Sequence, residues 1–480
     1  LIRLLKSDAT SILAQGNDEV FLARAPGRLD VMGGITDISG GLACTLPLDA
    51  AAAVAVQRRD DRKLLIKTYN TAGADKSGPV DSEAQSLVEL SLDDFYGTAA
   101  LLPNQTLQNL FTGGRHWAAY IAGAFPMLAR HKKITRRTHG ANIACFSNVP
   151  FGAGLASSAA VASAALTAIT AAFHLILDPL EIAVLAHKLE QQIVGASRGI
   201  MDQATAILGR QNELLLLRCQ PHQIKGYLPV PPGFLFAGIN SGTQSAGPAA
   251  YTVARSSALM AQAIIGRMYQ DFGNKKDPTA GYLANVSAEM YDRYFRPLLP
   301  EKIDGKSFLE KQGHAITRIA PIAPQVVYEP RAAADHHIHE GLRTAAFVEH
   351  MRRMNDAADP AVRNSLALAA GELMRESHHS YSANLHLGSA ATDELVELVR
   401  ARGPDRGFFG ARVMGAGGGG SVVVLVHDNP ATRAELRALA EEFAQCRPGP
   451  GAGQLFAASS SGSSEIGPVE LPVSELRSSP

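Results

Sequence analysis

This sequence predicts two lobes of mixed α/β structure with a cleft between them, and three observations carry that expectation. The chain has 480 residues, more than one hydrophobic core usually serves at roughly 100 to 200 residues per domain. Strand-like and helix-like apolar patterns are mixed along its whole length, with no repeat at a fixed period. Glycine-rich stretches at 27–41, 148–158 and 413–421 interrupt those patterns, and such stretches suit a backbone that must approach something closely.

In chain order, 45–57 (TLPLDAAAAVAVQ) and 63–69 (KLLIKTY) read as strands, the alanines leaving the first open to a helix as well. An amphipathic helix is predicted over 116–130, a strand over 141–147, an Ala-rich helix of high intrinsic propensity over 157–175 and a further helix over 180–194. Apolar runs at 214–218 and 234–240 read as buried strands. Residues 274–323 form a Pro- and Lys-punctuated helical insert; helices follow at 338–355, 360–377 and 392–402, then a strand at 421–426 and a helix near 431–446. SSSGSS at 459–464 has the composition of a flexible linker, although QLFAA just before it has a strand pattern that would carry the segment into the fold. The expected division is a first lobe over 1–212, a second over 213–465 and a tail over 466–480.

Lys plus Arg and Asp plus Glu both number 45, a formal net charge of zero, which gives no electrostatic case for nucleic acid or an anionic membrane. A small-molecule partner is expected. Cys44, Cys145, Cys219 and Cys446 form neither a CxxC pair nor a dense framework, which suits a reducing cytoplasmic setting. The first apolar run is broken by Lys6, Ser7 and Asp8, unlike a signal peptide, and no run reaches the ~18 apolar residues of a membrane span. The chain opens at Leu1 and not at Met, so further N-terminal residues are expected ahead of it.

Residues 148–160, NVPFGAGLASSAA, run from a strand through glycines and serines straight into the Ala-rich helix. A helix start carries unpaired N–H groups and partial positive charge, so this joint reads either as an anion cradle or as a glycine turn capped by Ser157 or Ser158. There is no GxxxxGK[ST], and no GxGxxG opens a helix after a strand, which excludes the two commonest nucleotide fingerprints. VMGAGGGGS at 413–421 precedes the apolar VVVLV; four consecutive glycines favour close backbone approach over a flexible turn. Glu190 and Asp202 bracket QQIVGASRGIM. Ser158 with Glu190 would suffice as protein ligands for a magnesium ion carrying nucleotide phosphates, leaving Asp202 as a base toward a hydroxyl; either acid alone reads equally as a solvated or capping side chain. The histidines of DHHIHE at 335–340 do not follow HExxH, and they and His378 and His379 read as structural or surface residues.

Taken together, ARAPGRLDVMGGITDISGG, NVPFGAGLASSAAVASAAL followed by GIMDQ, and VMGAGGGGSVVVLV resemble the three motifs of the GHMP small-molecule kinases, in order, and within them the galactokinase branch. The resemblance covers 21 to about 463. It implies the two-lobed GHMP kinase fold, a ribosomal-S5-like N-terminal lobe and a ferredoxin-like C-terminal lobe with the active site between them. The loop around Gly152, Ala153, Gly154, Leu155, Ala156, Ser157 and Ser158 would wrap the phosphates of ATP, and Ser158 and Glu190 would hold Mg²⁺. Asp202 would face the anomeric hydroxyl of a sugar with Arg28 beside it, an arrangement in which a cation stabilises the ionised acid and neutralises developing charge. Asp37, Gly199 and Tyr251 would contact the sugar.

The departures concern the sugar. Galactokinases have Gly-Glu-His-Thr-Asp-Tyr where this chain has GGITDI at 33–38, so the Glu and His become Gly34 and Ile35 while Asp37 remains. In that family the retained Asp grips ring hydroxyls and the missing pair lies toward the hydroxymethyl at C6, a group that L-arabinopyranose lacks. A carboxylate built for that hydroxyl would be left unpaired by arabinose, a penalty of up to ~10⁴-fold. The loop, together with HHSYSANLHLGSAATDELVELV at 378–399, also resembles the kinase part of plant-type L-arabinokinases. The segment 240–245 lacks the family's Arg-His pair, and Ala156 replaces the first of its usual three serines. An L-arabinose 1-kinase, monomeric or homodimeric, is therefore the leading expectation, a galactokinase the enzyme rival, and a catalytically silent sugar and ATP sensor the rival of another class.

Overall fold

The structure, a computed structural model, describes residues 1–8, 11–13, 19–69, 86–98, 100–196, 198–245, 248–273, 277–312 and 322–476. Its strands are β1 Glu19–Met32, β2 Leu42–Arg58, β3 Lys63–Thr68, β4 Leu87–Ser91, β5 Ala141–Ser147, β6 Glu213–Arg218, β7 Gln223–Pro229, β8 Phe234–Asn240, β9 Ile303–Asp304, β10 Val327–Tyr328, β11 Phe408–Val413, β12 Ser421–His427, β13 Leu455–Phe456 and β14 Val469–Pro472. An eight-stranded sheet runs β14-β1-β2-β5-β3-β4, with β6 on β2 and β7 on β6; a four-stranded sheet runs β11-β12-β8-β13. All these pairings are antiparallel except β3 with β5.

Tertiary pairing decides the alanine run of β2. β1 lies along one side of β2, while β5 and β6 share the other, and the alternation of a strand sends Ala52, Val54 and Val56 into one core and Ala55 into another. The Ala-rich helix Ser157–Ala172 packs on β1 and β2, with the helices Pro179–Leu189 and Met201–Leu208 against it. It is apolar nearly all round because it is covered nearly all round, and small side chains on both surfaces let the backbones approach. The expected helix over 116–130 is instead a 3₁₀ turn, Gly113–Ala118, followed by Ala119–Ala122 and Ala124–Arg130.

The core of the first sheet continues through Phe236, Val423 and Leu425 to Phe347 and Met351 of the helix Pro330–Asp356, so the two lobes share packed side chains. The helices Ala390–Arg402 and Pro430–Cys446 cover the other face of the second sheet. The insert expected over 274–323 lies partly outside the described residues, at 274–276 and 313–321. Its described part sends Leu283, Tyr291, Phe295 and Phe308 into a third cluster with the helix Pro248–Asp271, Tyr381 and Ile35, and so backs the loop that begins at Gly33.

Two expectations need correction, and a reading left open is decided. β6 and β7 pair into the first sheet, so a division after 212 would cut that sheet. The residues 466–480 are not simply a tail: β14 pairs with β1, and Val473 and Leu476 bury against Leu5, Leu13 and Val20. SSSGSS is structured because its hydroxyls serve the first lobe's backbone. Ser460 Oγ donates to the Leu48 carbonyl at 2.8 Å, Ser464 Oγ to the Ile207 carbonyl at 2.6 Å, and Ser463 is 1% exposed beside Thr167. No helix among the described residues is long and apolar enough to cross a membrane.

His336 and His337 are buried in the Pro330–Asp356 helix, with Nδ1 at 2.9 Å from Ser380 Oγ and 2.8 Å from Ser39 Oγ respectively. Burial holds His336 well below the ordinary imidazole range and His337 at about 3. The unfolded chain, with pKa ~6.5, therefore binds more protons than the fold between these values, and this contribution to stability is lost as pH falls below ~6.5, by about 1.4 kcal/mol per pH unit per histidine. The raised carboxyls Asp37 and Glu190 act in the opposite sense, so the effect is read as a difference. His337→Gln should flatten the acid side of the stability profile between about pH 6.5 and 5 by about 1 kcal/mol per pH unit in urea titrations; identical slopes in the two proteins would show the histidine to be irrelevant.

Candidate active site

The loop that follows β1 is held by buried polar groups from the second lobe. Asp30 accepts from the Gly34 N–H through Oδ1 at 3.1 Å and from the Gly415 N–H through Oδ2 at 2.9 Å. Arg412, 0% exposed, donates to the Asp30 and Val31 carbonyls at 3.0 and 3.3 Å and to Ser377 Oγ at 3.1 Å. The Tyr381 hydroxyl accepts from the Ile35 N–H at 2.7 Å and donates to the Gly415 carbonyl at 3.0 Å. Gly34 has φ +52°, and a Cβ there would overlap that hydroxyl and sit 2.9 Å from Arg412 Nη2, so both conformation and space demand glycine. The 3₁₀ turn Gly34–Ser39 then presents Asp37, buried, with the Gly199 backbone so close that a Cβ there would overlap its carboxyl. Burial first, then the charges of Asp202 and Asp30, push the Asp37 carboxyl well up.

At the start of the Ala-rich helix neither serine is the cap. Ala156 holds the N-cap position in left-handed conformation, φ +63°, with no side-chain cap bond. Four consecutive carbonyls before it are occupied: Gly152 by the Ser245 N–H at 2.9 Å, Ala153 by Ser421 Oγ at 2.7 Å, Gly154 by Arg28 Nη1 at 2.6 Å and Leu155 by the Arg28 N–H at 3.1 Å. In a trans peptide the following N–H points opposite to the carbonyl, so the amides of Ala153 to Ala156 are turned away from these partners. Together with the open helix start they form a place for an anion. The loop Met414–Gly420 packs against this turn by backbone: a Cβ on Gly420 would lie 3.1 Å from Ala153, and one on Gly415 3.3 Å from Arg28 Nη2 and 3.4 Å from the Gly154 carbonyl. Close approach, and not a flexible turn, is why the glycines are there. The 240–245 segment is engaged in the same packing, Ser241 donating to the Gly420 carbonyl at 2.9 Å and Thr243 accepting from the Gly420 N–H at 2.6 Å.

The acids meet beside these loops. Asp202, in the first turn of Met201–Leu208, accepts from Arg28 Nε at 2.9 Å and Nη2 at 2.7 Å. Both bonds land on Oδ1, so Arg28 leaves Oδ2 to another partner. Glu190 opens a π turn, Glu190–Val194, a local form found often at functional sites. Its carboxyl is pushed up to about 7, chiefly by burial and also by Asp202, with Arg198, Gln203 and Ser158 opposing, and its Oε1 is buried without a hydrogen-bond partner. Tyr251, on Pro248–Asp271, lies within the fields of Asp37, Arg198, Arg255 and Asp202.

Arg28, Asp37, Gly199, Asp202, Glu190, Ser158 and Tyr251 thus converge, and the 152–158 turn joins them through Arg28. Gly34 and Ile35 line the same loop, but the space at Gly34 belongs to Tyr381. Sequence reasoning missed Asp30, Arg198, Arg255, Tyr381 and Arg412. Asp30, Arg198 and Tyr381 lie inside the motifs given above; Arg255 and Arg412 are linked to the site by folding.

The GHMP kinases N terminal domain matches residues 119–210, the GHMP kinases C terminal domain 360–445, and the galactokinase galactose-binding signature 14–58. The chain carries both GHMP kinase domains. It is similar to L-arabinokinase of Arabidopsis thaliana, 32% identical over 452 residues, which is 85% of this chain and 43% of that protein. It therefore spans less than half the length of that curated relative. Its fold is shared with a galactokinase of Lactococcus lactis solved with galactose (TM-score 0.69, 20% identity, covering 92% of this chain and 94% of that one). Methanococcus jannaschii mevalonate kinase shares it at TM-score 0.53, 14% identity, covering 92% and 98% of the two chains.

Tyr381→Phe orphans the Ile35 N–H and the Gly415 carbonyl at once, so it should cost about 1–3 kcal/mol in chemical denaturation. Gly34→Ala should be more damaging in the wild-type background than in the Tyr381→Phe background, because the overlapping hydroxyl is then gone. Strict additivity of the two changes in a double-mutant cycle would contradict the packing described here.

Proposed function

We propose that this chain is an ATP-dependent sugar 1-kinase that phosphorylates the anomeric hydroxyl of L-arabinose, giving L-arabinose 1-phosphate and ADP. The observation that carries the class is the single chain of bonds by which Arg28 links Asp202 to the Gly154 carbonyl of the anion-facing turn, tying an acid for the acceptor hydroxyl to the cradle for the donor phosphates. In this reaction the sugar O1 forms a bond to the γ-phosphorus, the bond from phosphorus to the β,γ-bridging oxygen breaks with its electron pair left on ADP, and the O1 proton passes toward Asp202. Arg28 favours the ionised form of Asp202 and offsets charge developing nearby. Phosphoryl transfer relies chiefly on positioning and electrostatics, which agrees with an acid held rigidly on one oxygen. Asp37, held beside Gly199, is placed to take ring hydroxyls, whose donors would offset the cost of burying its carboxylate.

Mg²⁺ fits the pair Ser158 and Glu190. The Glu190 Oε1 is buried and unpartnered, and Ser158 lies close enough to act on the same carboxyl, a hard oxygen donor set of the kind this ion takes. When bound, the ion supplies charge neutralisation at the nucleotide phosphates.

The preference for arabinose rests on Gly34 and Ile35. The Tyr381 hydroxyl fills the space where a side chain on residue 34 would begin, so this loop offers no carboxylate to a sixth carbon, and the similarity to the Arabidopsis L-arabinokinase supports the same sugar. D-galactose is the second reading, favoured by the match to the galactose-binding signature. The four cysteines, all unpaired, suit a reducing cytoplasm.

A coupled ADP-release assay across L-arabinose, D-galactose, D-fucose, D-galacturonate and L-fucose tests the reading. The expected outcome is the highest kcat/KM with L-arabinose; a much higher value with D-galactose transfers the assignment, and sugar binding with no ADP release from any of them identifies a sensor. Asp202→Asn and Arg28→Ala should each abolish sugar-dependent turnover, and near-normal turnover in either would remove these residues from the chemistry. Glu190→Gln should raise the Mg²⁺ concentration needed for half-maximal rate; an unchanged requirement would place the ion elsewhere.

A further inference from the structure

We propose that Arg198 is a second cation at the reaction centre, its guanidinium contacting the phosphoryl group as it passes from nucleotide to sugar. This rests on the sugar-kinase reading above. Arg198 lies between the π turn that carries Glu190 and the helix that carries Asp202, next to Gly199, whose backbone abuts Asp37. Its main chain is clamped to the Glu190 segment: the carbonyl accepts from His187 Nε2 at 2.9 Å and Gln191 Nε2 at 3.2 Å, and the N–H donates to the Ala196 carbonyl at 3.1 Å. The carbonyl can only accept, so His187 carries its proton on Nε2.

The side chain, by contrast, is uncommitted. It is solvent-exposed and has no hydrogen bond or close ion pair among the described residues, yet its charge acts on Glu190, Asp202, Tyr251 and Tyr120 together. A cation that meets solvent while its charge reaches both Glu190 and Asp202 borders the interval between the acid proposed for the metal and the acid proposed for the acceptor hydroxyl.

A transferring phosphoryl group must cross that interval. It brings negative charge, spread over three equatorial oxygens, into a site that already holds Asp37, Glu190 and Asp202. Arg28 is committed to Asp202 and the Gly154 carbonyl. Arg198 is exposed and has donors to give, whereas Arg255, which also has an unpartnered Nη1, is buried toward Tyr251 and Asp37; the fork geometry of Arg198 suits phosphoryl oxygens. O1 gains the bond to phosphorus and the β-phosphate keeps the bridging electron pair, as above; Arg198 neither gains nor loses a proton.

Arg198→Met and Arg198→Lys, assayed by ADP release with the sugar that the wild-type protein turns over best, test this. Arg198→Met should lower kcat about 10²–10³-fold with the sugar KM little changed and with an unfolding temperature like that of the wild type. Arg198→Lys should recover part of the loss. With sugar and Mg²⁺ present, aluminium fluoride should tighten ADP binding in the wild type, and Arg198→Met should lose that gain while keeping its affinity for ADP alone, which a structural role would not produce. An unchanged kcat overturns the proposal, as does a raised sugar KM at unchanged kcat, which moves the guanidinium to the sugar. If the wild-type protein phosphorylates no sugar, the sugar-kinase reading fails first and this proposal with it.

Discussion

The contact on which the candidate site depends is the buried one between Asp30 and Arg412. Asp30 sits on a strand of the first sheet and Arg412 on a strand of the second, both 0% exposed, and their loops are the two glycine-rich stretches nearest the cleft. Burying two charges costs several kcal/mol per ion after relaxation, and a bare pair would not offset it. Here the pair has company: Asp30 takes two backbone N–H groups, one from each glycine loop, while Arg412 spreads its donors over two carbonyls and Ser377. Ser377 donates in turn to Glu340, which is bound by Arg343. Such a network specifies one register between two loops that have few side chains of their own.

Everything nearer the chemistry inherits that register. The Tyr381 hydroxyl can bridge Ile35 and Gly415 only because the two loops are already at this spacing, and it occupies the room that a larger residue 34 would need. The Met414–Gly420 loop then lies against Ala153, Gly154 and Arg28. The anion-facing turn is held by its carbonyls from Ser245, Ser421 and Arg28, two of these three in the second lobe. Its outward amides are thus a product of both lobes, preorganised before any phosphate arrives.

The electrostatic consequence is a site crowded with acids that resist ionisation. Glu190 and Asp37 are both pushed up by burial and by neighbouring carboxylates, while Asp202 is tied to Arg28. On the proposed reading a metal ion at Glu190 and sugar hydroxyls at Asp37 would favour the ionised carboxyls, and a phosphate would take the outward amides.

Much of this was legible in the sequence. Arg28, Asp37, Ser158, Glu190 and Asp202 stand out as candidates because they sit in short motifs whose glycines and helix starts have local physical causes, and the fold brings them together. The strands at 141–147 and 234–240 were found because apolar runs bounded by turn residues leave little choice. What failed was whatever depended on distant partners. The last segment reads as a tail until β1 offers it an open edge, and SSSGSS stays open between linker and folded segment until the backbone groups of Leu48 and Ile207 are brought to its hydroxyls. The sequence by itself determined which residues could do the chemistry and that the backbone must come close at three glycine-rich places. Only the tertiary structure decided what came close to what: Tyr381 into the space beside Gly34, Arg412 beneath Asp30, and Arg198 within reach of Glu190 and Asp202. A buried charge finds its partner through packing between elements far apart in the chain, and no local pattern records that.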